Sequence, residues 1–549
     1  MNPGMQKKGL LFVIIILAIK VFLFPPFQLQ LRSEEPRRAV ISMEMIFSGN
    51  YIEPQIHGWD YYNKPPLFNW LVAIFMIVFQ SFDEWVVRLP GLLSHLMLSL
   101  CIYFFARRYV ASEIAVLSSL FYLTAGEILF YGSVIAGQID LFFSLLVFIQ
   151  LAYLFKALHK NDQYALYISY LFLALGIMTK GIPAIAFQVL TVIGWIIIKR
   201  LKWKDWMFAH HLMASMIPLG LIAIYFWVYH SHGGHSDVYL INLFYEAAQK
   251  SALETEGGTL MKSFIQFPGT FLKLLLPWTL LFLFFLNRSV RSHVFRSELA
   301  LFSLVVITSN ILLYWFSGYI TSRYLFPFIP FLAIVAATAF NPTNKNLWLK
   351  YFYGFILLLV MIAPPGLIAF FITNKEANIS HIWFKIFISM FVSTGVIIFF
   401  RKYPADRIFL AIFFILCLKW YSQWTYYPTR YADERINSLI AQIPILFQYS
   451  RGTAIHLLGK PEQHHIDISL GKWSLISRDF EDPMPLSYQL PYYIERRQQE
   501  VMQFHTELQP NRYYLVRKEN IDAYDSDSYQ VIYEFVDDWK RIPLNLIKT

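Results

Sequence analysis

Long apolar runs separated by short polar turns organise most of this chain. Runs of about 20 residues, the length that crosses a bilayer as a helix, fall at 9–27, 88–106, 112–132, 139–156, 164–179, 182–198, 208–229, 268–286, 298–316, 323–340, 350–372, 382–400 and 405–424. The pattern predicts about thirteen spanning helices. The run 67–82 is shorter and amphipathic and predicts an interfacial or re-entrant helix. The first run ends in Pro25-Pro26 without a small-residue cleavage site, so it is read as a retained helix rather than a signal peptide. Past residue 427 the pattern changes. Short β-rich runs at 453–458, 513–516 and 529–535, with a helical stretch at 431–439, predict a small α/β domain. Two units follow: a membrane domain over 1–427, with its first outer loop at 28–87, and a soluble domain over 428–549.

Composition sharpens the class. The chain of 549 residues is 57% hydrophobic and 15% charged, against roughly 25% charged in soluble domains. Runs of this length exclude a β-barrel, whose strands are short and alternate. The fold class is a polytopic α-helical membrane protein. The net charge of +10 does not point to nucleic acid, because the basic residues cluster between apolar runs. Lys7-Lys8, Arg107-Arg108, Lys156 with Lys160, Lys199-Arg200, Arg288 with Arg291, Lys345 with Lys350 and Arg401-Lys402 fall in alternate loops. That alternation places the N-terminus in the cytoplasm and the C-terminal domain outside. Cys101 and Cys417 lie far apart inside apolar runs, so no disulfide framework is expected.

Candidate chemistry lies with the cations on the wrong side. Arg37, Arg38, Lys64, Lys180, Lys250 and Arg323 lie in or beside outer loops. One such charge alone reads as a snorkelling side chain. Several on one face suit a phosphate, which Arg binds bidentately and Lys as a point charge. The carboxylates Glu34, Glu35, Asp60 and Asp140 share that face. Acids at a membrane edge are costly and are functional candidates, and a carboxylate can take the proton of an attacking hydroxyl. The plainer reading of Asp140 is an ion pair with Arg37 or Arg38. His230, His232 and His235 open a long outer loop with a spacing that could chelate, although a solvated interfacial loop explains them better. A phosphate-cradling glycine loop is absent from the sequence, which disfavours a nucleotide-sugar donor. A transporter or flippase of lipid-linked anions is the rival class. It would show internal repeats, and none is visible.

These residues also carry a family resemblance. Glu34-Glu35-Pro36-Arg37, followed by Gly58 and by Tyr61-Tyr62-Asn63-Lys64-Pro65-Pro66, resembles the first outer loop of the superfamily of dolichyl-phosphate-mannose protein mannosyltransferases and aminoarabinose transferases. Arg88-Leu89-Pro90, Asp140, Thr179-Lys180-Gly181, Pro277-Trp278 and Arg323-Tyr324 extend the likeness. It implies the GT-C fold with a periplasmic C-terminal domain, in a bacterial inner membrane. It implies an inverting transfer of a sugar from a polyprenyl-phosphate donor to a hydroxyl of a glycolipid such as lipid A, a polysaccharide or a protein. By motif position Glu34 is the base, with Asp140 as a second catalytic candidate. Arg37, Tyr62, Lys64, Lys250, Arg323 and Tyr324 hold the donor phosphate. No cofactor is assigned. A divalent metal is left open, with Asn63 and Ala247 at the positions that bind it in the aminoarabinose branch. Neither is a usual ligand, so no metal residue is assigned. The C-terminal domain resembles the family only in position and size.

Overall fold

The computed structural model describes residues 3–23, 29–131, 137–201, 208–249, 257–317, 321–340, 347–373, 381–431, 434–470, 473–482, 488–538 and 540–549. In its described residues, each of the thirteen apolar runs is mainly helical. Among the described residues, nine helices are long and apolar enough to cross a membrane, and a tenth span forms if Met261–Lys273 and Trp278–Leu286, bent by 102°, count as one. The helices Pro3–Leu23, Gln163–Lys180 and Pro183–Lys199 occupy the other three runs without being among the nine. Leu67–Phe79 is a shorter apolar helix, where an interfacial or re-entrant element was expected.

Local sequence explains how distant residues come level with one another. Helix Ile139–Lys160 stops at Asn161, which adopts a left-handed φ of 51°. Asp162 then caps the next helix, accepting from Ala165 N at 3.0 Å, which satisfies one of its free N–H groups. The resulting helical hairpin brings Asp140, in its first turn, beside Lys180, the last residue of Gln163–Lys180. Between Trp315 and the helix Ile329–Ala339, the 3-10 segment Ser322–Phe328 carries Arg323 and Tyr324.

In the first outer loop, Pro36 lies in the first turn of the helix Glu35–Ser48, where its missing N–H costs nothing. A hairpin follows, with Gln55 opposite Asp60 and Ile56 opposite Trp59. Its two-residue turn is His57-Gly58, both at positive φ.

The C-terminal domain holds a five-stranded sheet in the order Phe504–His505, Ile455–Leu458, Tyr513–Arg517, Ile542–Lys548, Gln530–Asp537. The first three strands run parallel and the last two join antiparallel. Helices Glu434–Tyr449 and Gln489–Gln498 accompany it, and Glu462–Leu470 pairs separately with Trp473–Asp482. This domain does not bury its core alone. Leu439, Leu446, Ile494, Leu515 and Leu546 form one hydrophobic cluster with Val40, Met43, Ile56, Phe68 and Val86 of the first outer loop and its neighbours. Polar contacts reinforce the seam. Tyr492 Oη donates to Phe82 O at 2.6 Å, Trp59 Nε1 to Phe504 O at 3.1 Å, and Phe504 N to His57 O at 2.9 Å. Arg496 pairs with Asp83 and Glu84, though half-exposed pairs of this kind contribute about 0–1 kcal/mol.

Candidate active site

Four elements converge on a cavity of about 130 Å³ lined by Glu34, Arg37, Arg38, Tyr61, Asn63, Lys64, Gln138, Ile139, Asp140, Lys180, Arg323 and Tyr324. Five of these residues are cations and two are carboxylates, so the lining carries an excess of three positive charges. Such an excess is unstable by self-repulsion unless an anion enters. Several of the donors are also unspent. Among the described residues, Arg37 Nε, Arg38 Nη1 and Arg323 Nε are buried without a hydrogen-bond partner. A buried unmade hydrogen bond costs about 1–3 kcal/mol, and a phosphate oxygen would satisfy it.

The two adjacent carboxylates have different surroundings. Glu35 is buried and saturated. It accepts from Arg88 Nε at 2.9 Å and Arg88 Nη2 at 3.2 Å, from Arg32 N at 2.9 Å and from Gly137 N at 2.6 Å. Arg88 spends its other donors on Leu29 O and Gln30 O. Position 137 must be glycine for this contact, since a Cβ there would lie 2.8 Å from Val87 O. Glu34 lies at the cavity, about a third exposed, with Arg37 at 3.1 Å.

Asp140 is nearly buried and accepts from Lys180 Nζ at 2.5 Å, so its partner is Lys180 rather than Arg37 or Arg38. Lys180 Nζ also lies 4.6 Å from the centre of the Tyr324 ring. Lys64 is held by its backbone. Tyr239 Oη donates to Lys64 O at 2.7 Å, and Asn242 Nδ2 donates to Asn63 Oδ1 at 2.9 Å. Both donors come from the outer-loop helix Ser236–Gln249.

Of the residues expected from sequence, Glu34, Arg37, Lys64, Asp140, Arg323 and Tyr324 line one cavity. Tyr62 is not in the lining. It packs in an aromatic cluster with Tyr225, Tyr229 and Tyr239 and donates to Asp60 Oδ2 at 3.0 Å. Its neighbour Tyr61 lines the cavity instead and accepts from Arg38 Nη2 at 2.9 Å. Lys250 falls outside the described residues. His230, His232 and His235 are exposed. Sequence reasoning missed Tyr488, which the C-terminal domain places against Arg37, with the guanidinium carbon 4.6 Å from the ring centre.

Comparison with known proteins agrees with this architecture. Residues 63–230 match the family model described as dolichyl-phosphate-mannose-protein mannosyltransferase. Curated relatives include the undecaprenyl phosphate-alpha-4-amino-4-deoxy-L-arabinose arabinosyl transferases of Edwardsiella ictaluri, 29% identical over 37% of each chain, and of Shewanella sediminis, 26% identical over 45% of each. These matches span less than half of the relatives' length. The crystal structure of ArnT from Cupriavidus metallidurans bound to undecaprenyl phosphate superposes with a TM-score of 0.71 over 98% of both chains, at 16% identity. The chain is similar to this mannosyltransferase family over residues 63–230 and has an ArnT-like GT-C fold. It is a multi-pass membrane protein, and its GT-C fold extends through the C-terminal domain, where sequence showed likeness only in position and size.

Proposed function

We propose that this chain transfers a sugar from a polyprenyl-phosphate donor to a hydroxyl acceptor at the outer face of a bacterial inner membrane. The observation that carries the reading is the cavity itself. Five cations, three of them arginines with an unspent donor, surround two carboxylates beside the membrane part of the chain. The phosphate of the donor would sit among Arg37, Lys64, Lys180, Arg323 and Tyr324. The names of the curated relatives support undecaprenyl phosphate as the carrier and aminoarabinose as the first sugar to try. Lipid A heads the acceptors, followed by other glycolipids, polysaccharides and proteins. The N-terminus lies in the cytoplasm and the C-terminal domain in the periplasm, as the alternation of basic loops supports.

In the reaction, the acceptor oxygen forms a bond to C1 of the sugar while the bond from C1 to the phosphate oxygen breaks. The electron pair leaves with the polyprenyl phosphate. Cations already in place stabilise that growing charge without reorganising. The acceptor proton goes to Glu34. Glu34 and Asp140 are each paired with a cation, but Glu34 stays about a third exposed at the cavity while Asp140 is buried against Lys180, so the part of Asp140 is to hold the ammonium toward the phosphate. Attack from the face opposite the phosphate inverts the anomeric centre.

The test is incubation of the purified protein with a panel of polyprenyl-phosphate sugars and acceptors, following free polyprenyl phosphate by mass spectrometry. Release by wild type and not by Glu34→Gln supports the reading. A donor that binds tightly and is never cleaved with any acceptor, yet crosses reconstituted vesicles, overturns it in favour of a flippase.

A further inference from the structure

A second cluster lies about two turns beyond Arg37 along the same loop helix. Glu44, His57 and Glu495 are all buried, at 1%, 2% and 0% exposure. Glu44 comes from the loop helix, His57 from the hairpin turn and Glu495 from the C-terminal helix Gln489–Gln498. One ligand-type atom from each lies within 4.8 Å of the others, and this is the only such group of three among the described residues. We propose that these three side chains bind one divalent transition-metal ion of the Zn²⁺ class, fastening the C-terminal domain to the first outer loop.

The distances suit ligands facing across an ion. His57 Nδ1 is 3.9 Å from Glu44 Oε1 and 3.9 Å from Glu495 Oε1. That is too long for a hydrogen bond. An ion centred in a triangle with edges near this length would sit roughly 2.3 Å from each corner, close to the ~2.0–2.2 Å of Zn–N and Zn–O bonds. One imidazole and two carboxylates form a borderline N/O donor set that suits Zn²⁺ or Mn²⁺ and leaves a coordination position open.

The polar accounting points the same way. His57 Nδ1 has no hydrogen-bond partner although its ring is buried, and Glu495 Oε2 accepts no hydrogen bond. Glu44 is aimed at this point by His57 N at 2.5 Å and Gly58 N at 3.0 Å, and Glu495 by Met502 N at 3.1 Å. Neither carboxylate pairs with a Lys or Arg among the described residues. Two carboxylates this close in a dry interior cannot both ionise without a cation. The turn is also unusual. A two-residue turn with both φ positive favours Asn-Gly, and here an imidazole takes the first place at φ 57°. These residues are distinct from Asn63 and Ala247, and the proposal does not depend on the transfer reaction.

The competing account is a carboxyl of Glu495 sharing its proton with Glu44, to which it is hydrogen-bonded. Metal content of the full chain, purified in detergent without chelators, separates the two. EDTA-treated protein is then titrated with ZnCl₂ by calorimetry and thermal unfolding, beside His57→Asn and Glu495→Gln. Asn suits the turn, so His57→Asn is expected to fold. The expected result is about one equivalent of Zn²⁺ per wild-type chain, a raised unfolding midpoint on adding Zn²⁺, and loss of both in His57→Asn and Glu495→Gln. Wild type that takes up no Zn²⁺ or Mn²⁺ overturns the site. So does His57→Asn binding Zn²⁺ as wild type does, which would place the ion on the exposed His230, His232 and His235.

Discussion

The Arg37 guanidinium lies over the Tyr488 ring, 4.6 Å from its centre, so the C-terminal domain touches one of the cations that line the cavity. A cation–π contact is worth about 0.5–2 kcal/mol. Tyr488→Ala should therefore weaken binding of a polyprenyl-phosphate donor by roughly 2- to 30-fold, while Tyr488→Phe should keep most of it. Donor titration by calorimetry reads this directly, and equal affinity for wild type and Tyr488→Ala would show the contact to be idle.

Glu34→Gln keeps the shape of the cavity wall and removes the base. Transfer should fall by about 10²–10⁴, the range for losing a general base, with donor affinity changed by less than about 3-fold, because Glu34 repels rather than attracts a phosphate. Single-turnover rates measured with donor in excess test this. A rate near wild type would move the base elsewhere.

Glu35 and Arg88 predict the opposite behaviour. Removing one partner of this buried pair strands the other charge at a cost of about 3–5 kcal/mol. Arg88→Ala and Glu35→Ala should both lose yield and thermal stability in detergent. A combined Glu35→Gln, Arg88→Met variant should recover part of the loss, since neither group is then a stranded charge. Thermal unfolding of the three variants decides it.

The donor-phosphate contacts should separate from the positioning pair. Arg323→Ala and Lys64→Ala each remove a charged donor worth about 1.5–3 kcal/mol, a loss of roughly 10- to 150-fold in donor affinity that shrinks as salt rises. Asp140→Asn leaves the number of cations unchanged. Its effect should vanish in a Lys180→Ala background, because Asp140 acts through Lys180. A double-mutant cycle on donor affinity measures that coupling, and independent effects would break the link.

The charges that the sequence singles out were legible because a cation in an outer loop violates the pattern of basic cytoplasmic turns. Arg37, Lys64 and Arg323 needed no more than that. The assignment failed where neighbours in sequence point to different sides. Tyr61 and Tyr62 follow one another just past the strand Trp59–Asp60, and packing of Tyr62 against Tyr239 leaves Tyr61 as the one that reaches the cavity. The partner of Asp140 was invisible for a related reason. Arg37 and Arg38 were the nearer candidates by motif, but a helical hairpin closed at Asn161 brings Lys180 level with Asp140. Tyr488 and Glu495 carried no local signal at all, because their meaning comes from elements more than 400 residues away. The helices were easy to find, and Gln163–Lys180 and Pro183–Lys199 form where their runs lie although they are shorter or less apolar than the nine long apolar helices among the described residues.

The shared core between the first outer loop and the C-terminal domain imposes an order on biosynthesis. Trp59 and Phe504 are partners separated by 445 residues, and a ribosome adding about 5–20 residues per second needs roughly 20 to 90 seconds to cover that interval. For that time the loop has been made and its apolar face has no native cover. A nascent chain of this kind needs a chaperone or the membrane surface to shield the loop until its last quarter is made, and truncations before the C-terminal domain should be degraded rather than accumulate as a smaller membrane enzyme.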